Sequence, residues 1–278
     1  MKVLFFGDVF GRPGREALKK YAPGLVDKYK PDFVIANIEN IAHGSGITQN
    51  TVEQMEALNI FDAYTLGDHI WDRRETKELL ESSNLNIVRP ANLEGPGRGG
   101  IVVVKGARRL LVVNLLGYVI RVDKDKKASI KLEAGNPFQE IDKILEEFAI
   151  SASESTGEQI DGIFVDFHAE FTGEKRAMGF HLDGRVSAII GTHTHVPTSD
   201  GQILPEGTAY MSDVGMVGPF NSVIGLGKEE IVEQFVTEIS QKTDVSERSR
   251  VEIGAVLIEV TKNGLAENIT QIREIVEI

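Results

Sequence analysis

The chain has 278 residues, a net charge of −12, six histidines and no cysteine. That length suffices for a sizeable α/β core, and the missing cysteines exclude thiolate ligands and thiol nucleophiles. The acidic balance argues against long nucleic-acid substrates, which need a surplus of Lys and Arg, whereas a small anionic substrate is compatible if bound divalent cations supply local positive charge. The longest apolar stretch, 110–120, is interrupted by Asn114 and Gly117 and is too short to span a membrane. The first apolar run reaches Asp8 too soon for a signal peptide, so no membrane contact and a cytoplasmic location are expected.

In chain order, the pattern predicts a strand over 2–6, then a helix over 13–29 with Pro13 in its first turn. A strand over 32–38, a helix over 51–58 and a strand over 63–66 follow. Asp72-Arg73-Arg74-Glu75 matches a capping box, with Asp72 as N-cap of a helix running to 81. Further strands are predicted over 101–104, 110–116, 163–167 and 186–190, with a helix over 137–148 between them. A helix over 228–240 and a closing strand pair, 251–260 and 269–275, complete the chain. The polar stretches 121–136, 151–159 and 243–250 read as loops or insertions. With no repeat and no dividing linker, residues 1–278 are expected to form a single domain, with a second sheet built from the β-rich middle and end.

Chemistry-bearing residues cluster just after the apolar runs. Asp8, after the first strand, is a candidate metal ligand at a strand's carboxyl end, or an Asp stabilising a Gly-rich turn. Arg12 and Arg15 are phosphate contacts or solvated helix-start residues, the latter reading favoured for Arg15. Glu39, ahead of Gly44-Ser45-Gly46, needs a cation or hydrogen bonds if buried and could bridge two metals; a salt-bridged loop Glu is the alternative. His43 is a supporting residue or a solvated loop histidine.

Asp68 is a candidate ligand and His69 a general acid suited to neutral pH, unless both merely shape the next helix. His168 is a candidate ligand that Asp166 or Glu170 could orient. His193 and His195 lie two apart after an apolar run, where extended backbone would aim both imidazoles to one side. Four of the six histidines (69, 168, 193, 195) directly follow apolar runs, and His181, which does not, reads as structural. Together these residues favour a two-metal hydrolase.

The blocks around Asp8, Gly67-Asp68-His69, His168 and Gly191-Thr192-His193-Thr194-His195 resemble those of the calcineurin-like metallophosphoesterases. More closely, the chain resembles their YmdB-like bacterial branch. It carries Gly7-Asp8-Val9-Phe10-Gly11, Glu39-Asn40 ahead of Gly44-Ser45-Gly46-Ile47-Thr48, Asp166-Phe167-His168-Ala169-Glu170 and Gly191 to Thr198, and the late loop of 213–219 also matches.

The resemblance implies an α/β fold, a four-layer α/β/β/α sandwich, with a dinuclear site at the strand ends. One metal would be held by Asp8, Glu39, Asn40 and His195, and the other by Glu39, Asp68, His168 and His193. Asn40 would compensate for Phe10, which stands where the wider superfamily has a histidine. The oxygen-and-imidazole set suits iron, manganese or zinc, and the family points to iron or manganese. The implied activity is a phosphodiesterase acting on small cyclic nucleotides, 2′,3′-cyclic AMP foremost. A metal-bridging hydroxide would attack phosphorus and His69 would protonate the leaving oxygen. Two alternatives stand beside it: a phosphomonoesterase or nucleotidase with the same site, and a regulatory metal- or nucleotide-binding protein with little turnover. The family also suggests a homo-oligomer. Two departures are notable: Asp68 stands where the family usually has Asn, adding a negative charge expected to tighten metal binding, and the 121–136 segment is longer than the branch implies.

Overall fold

In this computed structural model all residues are described except 82–84, 119, 124–127, 132–133, 155–158 and 247–248. The chain opens on β1 (Lys2–Phe6), passes a short strand β2 (Asp8–Val9) and enters α1 (Gly11–Tyr29), with Pro13 in the first turn as expected. β3 (Phe33–Asn37) leads to α2 (Gln49–Glu56), which starts two residues before the predicted 51 because Thr48 and Thr51 form a reciprocal capping box. β4 (Ala63–Thr65) leads to α3 (Thr76–Glu81), which does not begin at Asp72. The Asp72 carboxylate accepts from His69 and Ser45 instead of capping the helix.

β5 (Ile87–Val88), β6 (Gly100–Lys105) and β7 (Arg108–Leu116) follow. The stretch 121–136 is not simply a loop: β8 (Ile120–Asp123) and β9 (Ala128–Lys131) pair antiparallel as a small separate sheet. α4 (Pro137–Glu154) runs past the predicted end at 148 into the presumed loop, whose residues 155–158 lie outside the described ones. β10 (Gly162–His168) is followed by α5 (Thr172–His181), for which the apolar pattern gives no signal. Then come β11 (Ala188–Thr192), β12 (Gln202–Ile203), β13 (Ala209–Met211), β14 (Met216–Pro219) and α6 (Lys228–Thr237). β15 (Arg250–Val260) and β16 (Ala266–Glu277) form the closing hairpin. α6 stops short of 240, ending at a left-handed Glu238.

Two sheets carry the fold. The first runs β2-β14-β15-β1-β3-β4-β5 with β16 on β15, and the second runs β12-β13-β11-β10-β7-β6. Strand residues alternate faces, and in β1 both faces are covered, as a continuous apolar run requires. Val3 and Phe5 point between the sheets, where the Phe5 and Phe164 rings lie 4.8 Å apart. Leu4 and Phe6 point outward against Ala17, Leu18 and Leu25 of α1. On the far side, Leu111, Val113, Val165 and Phe167 pack against Ile141 of α4 and Met178 of α5. Three apolar cores between four layers give the α/β/β/α sandwich. Among the described residues no helix is long and apolar enough to cross a membrane.

This layering positions the site. β1, β3 and β4 are parallel in one sheet, as are β10 and β11 in the other. Their carboxyl ends deliver Asp8, Glu39, Asp68, His168 and His193 to one edge, the place where α/β sheets bind ligands.

Candidate metal centre

The chain turns sharply after each of these strands, and polar side chains fix the turns. Asn37 at the end of β3 accepts from the Glu39 N–H at 3.0 Å and donates to Asp166 at 2.9 Å, tying the Glu39 turn to the second sheet. Gly67 precedes Asp68 where nothing larger fits: a Cβ there would lie 2.2 Å from Glu39 Oε2 and 2.4 Å from His168 Nε2. The loop 41–46 is pinned by Arg15 on the Ile41 carbonyl and by Arg73 on those of Ala42 and Ser45. Arg15 is therefore a structural residue, and Arg12 is exposed. His43 is also exposed, in left-handed backbone.

Two overlapping groups result. One ligand atom from each of Glu39, Asp68, His168 and His193 lies within 4.8 Å of the others, and the same holds for Asp8, Glu39 and His195. Glu39 belongs to both. Glu39, Asp68 and His168 are buried, as are Asp8, Asn40 and His195.

The geometry differs from extended backbone at His193 and His195. β11 ends at Thr192, and His193 (φ 99°) and His195 (φ 64°) both lie in the left-handed region. They serve different groups and do not converge on one point. Lys175, buried on α5, braces this unusual backbone: its ammonium donates at 2.8 Å to the Thr192 carbonyl and at 2.8 Å to Asp213. Asp213 in turn accepts from the Thr194 N–H at 3.0 Å.

Each histidine is held by its outer nitrogen. The Thr192 hydroxyl donates to Asp166 Oδ1 at 2.7 Å, so it accepts from His168 Nδ1–H at 2.9 Å. Asp166 thus orients His168 through Thr192, while Glu170 accepts from His193 Nε2 at 2.9 Å and has no part in orienting His168. His195 Nδ1 donates to the Ile224 carbonyl at 2.9 Å. The lone pairs of His168 Nε2, His193 Nδ1 and His195 Nε2 are left for the cluster, the arrangement typical of metal-binding imidazoles. His181 lies outside both groups, with Nε2 3.0 Å from Asp142 Oδ1.

The electrostatics call for positive charge. Burial alone would push the His168 imidazole down, yet Glu39, Asp68 and Asp8 hold it well above its ordinary range. Asp68 is held well below the usual carboxylate range, against its burial, by His168 and His193. Asp8 is raised by burial, with His195 and His168 offsetting only part. Two buried oxygens, Asp8 Oδ1 and Asn40 Oδ1, have no hydrogen-bond partner, a costly state that a cation would relieve. With a donor set of carboxylate, amide and imidazole, these residues fit metal ions. Phe10, buried edge-on to His195 at 5.3 Å between ring centroids, offers no donor there.

His69 stands beside the cluster, its backbone N–H donating to Glu39 Oε2 at 3.1 Å. Its Nδ1 lies 2.8 Å from Asp72, whose Oδ2 also accepts from Ser45. Burial opposes the charged ring, but Asp72, Glu39 and Asp68 raise it to about 9. Sequence reasoning missed Thr192, Lys175, Asn37 and this use of Asp72. Thr192 lies inside Gly191-Thr192-His193-Thr194-His195 and could have been found there as the histidine's hydroxyl neighbour.

Comparison with known proteins identifies the family of the chain. The model of the family described as YmdB-like protein matches residues 4–272. The chain is 41% identical over 259 residues to the 2′,3′-cyclic-nucleotide 2′-phosphodiesterase of Bacillus subtilis (strain 168), covering 92% of this chain and 90% of the relative. The crystal structure of a novel phosphatase from Mycoplasma pneumoniae superposes with a TM-score of 0.86 at 31% identity, covering 100% of this chain and 94% of that one. A hypothetical protein from Thermus thermophilus gives a TM-score of 0.83 at 35% identity, over 99% and 100% of the two chains.

Proposed function

Because the chain belongs to the YmdB-like protein family, we propose that this phosphoesterase is a dimetal phosphodiesterase acting on small phosphodiesters, 2′,3′-cyclic nucleotides foremost. The observation that carries it is the pair of ligand groups sharing Glu39. Asp8, Glu39, Asn40 and His195 would hold one ion and Glu39, Asp68, His168 and His193 the other; the donor set suits iron, manganese or zinc, and the family resemblance favours iron or manganese. Bound there, two dications supply an activated water and neutralise charge developing on the phosphoryl oxygens. The protein's own part is to fix the ligands and move a proton. Asp72 orients the His69 ring through Nδ1, so that Nε2 carries the proton handed to the leaving oxygen.

The similarity to a phosphatase supports a second reading, a phosphomonoesterase with the same site. One assay separates the two. Turnover of 2′,3′-cyclic AMP, bis-p-nitrophenyl phosphate and p-nitrophenyl phosphate is measured with and without manganese, in wild type and His69→Ala. The diesterase reading expects manganese-dependent turnover of both diesters exceeding that of the monoester. It also expects His69→Ala to lose about 10²–10⁴-fold. Faster monoester turnover would favour the phosphatase, and wild type that binds nucleotide without turnover would favour a regulatory role.

A further inference from the structure

Two large exposed aromatic side chains sit on segments that adjoin candidate metal ligands. Phe171 directly follows Glu170, whose carboxylate holds His193. Tyr118 follows Gly117, whose N–H donates to the His168 carbonyl at 2.9 Å. Their rings stack with centroids 5.6 Å apart and 27° between planes, yet the residues stay 42% and 43% exposed. The stack is preformed, because its members come from separate segments tied together: the Tyr118 N–H donates to Glu174 on α5 at 2.8 Å. Tyr118 and Glu174 also border a cleft of about 390 Å³ with Asn136 and Phe138, a volume within the range of small-molecule sites.

We propose that Tyr118 and Phe171 form a nucleobase subsite, a stacking platform for the base of a nucleotide whose phosphate lies at the metal centre. The proposal rests on the nucleotide-diesterase reading above. In a ribose 2′,3′-cyclic phosphate the base stands one sugar away from phosphorus, so its site belongs on the rim and not among the metal ligands. Stacking accepts any base because each has a π-face. The Glu174 carboxylate adds an acceptor for the exocyclic amine of adenine or cytosine. Trp71, also close in sequence to a site residue, is less suited. Gly95 packs so tightly on its ring that a Cβ would come within 2.5 Å, and Lys77 Nζ lies over the ring at 5.9 Å.

The test is calorimetric titration of the manganese-loaded full chain with 3′-AMP and with ribose 3-phosphate. Wild type, Tyr118→Ala, Phe171→Ala and Phe171→Trp are compared. Wild type is expected to prefer 3′-AMP, either alanine to cut that preference about 10-fold, and Phe171→Trp to keep it. Equal binding of the two ligands by wild type, binding of neither, or an undiminished preference in both alanine variants overturns the proposal. Should an alanine variant fail to fold, the adenine ring-proton resonances of 3′-AMP on wild type decide: an upfield ring-current shift supports stacking and no shift refutes it. Because binding is read without turnover, the two readings fail separately. Wild type that prefers 3′-AMP but hydrolyses no cyclic nucleotide keeps the base subsite and refutes the substrate.

Discussion

Thr192 joins the two ends of a relay: its hydroxyl accepts from His168 and donates to buried Asp166. Thr192→Val keeps the shape and removes both bonds, so metal affinity is expected to fall about 10–100-fold in a manganese titration, and unchanged affinity would make the relay dispensable. Asp68 is the second residue to test. Its carboxylate lies 3.1 Å from His168 Nε2 and 3.2 Å from His193 Nδ1, among other buried acids. Asp68→Asn removes one negative charge, so it should weaken metal retention and move the acidic limb of the pH–rate profile to lower pH. Identical metal content and profile would contradict this. At this scale the candidate ligands were legible because oxygen and imidazole side chains recur at strand ends. Their partners were not, because pairings such as Glu170 with His193 depend on the left-handed backbone of His193, which has no sequence signature.

α5 is the element through which the site is braced. Lys175 and Asp213 form a buried pair 2.8 Å apart, and together they hold the backbone on both sides of His193. Removing one partner of such a pair leaves an uncompensated buried charge. Lys175→Met should therefore cost about 3–5 kcal/mol in urea unfolding and weaken manganese binding as well. A loss of stability with normal metal affinity would restrict Lys175 to folding. α5 escaped sequence reading because its buried residues are Lys175, Met178 and Gly179, of which only Met178 is a large apolar type. The Asp72 motif misled in the opposite sense: it matched a capping box, but its carboxylate is drawn to His69 and the helix starts at Thr76. The α2 cap was missed because Thr51 replaces the expected Glu or Gln of a capping box.

Across the whole molecule, the two sheets are glued by the core containing Phe5 and Phe164, and their carboxyl edges meet at a cluster of buried acids. Alternating strands and helices made the first sheet legible, and the β-rich remainder indicated a second. That the closing hairpin inserts β15 between β1 and β14 was not legible, since long-range antiparallel pairing leaves no local pattern. If metal binds at the shared edge, it should stabilise the fold by mass action. Manganese at about 100 times its dissociation constant should add about 2.7 kcal/mol and raise Tm, with a chelator reversing the effect; a Tm indifferent to both would contradict it. The most direct measurement for the dinuclear site is the stoichiometry of manganese bound by metal-free protein, in wild type and in His195→Ala. Two ions per chain, falling to one when His195 is removed from the group it forms with Asp8 and Glu39, is the predicted result. A single ion in wild type, or none, would contradict it.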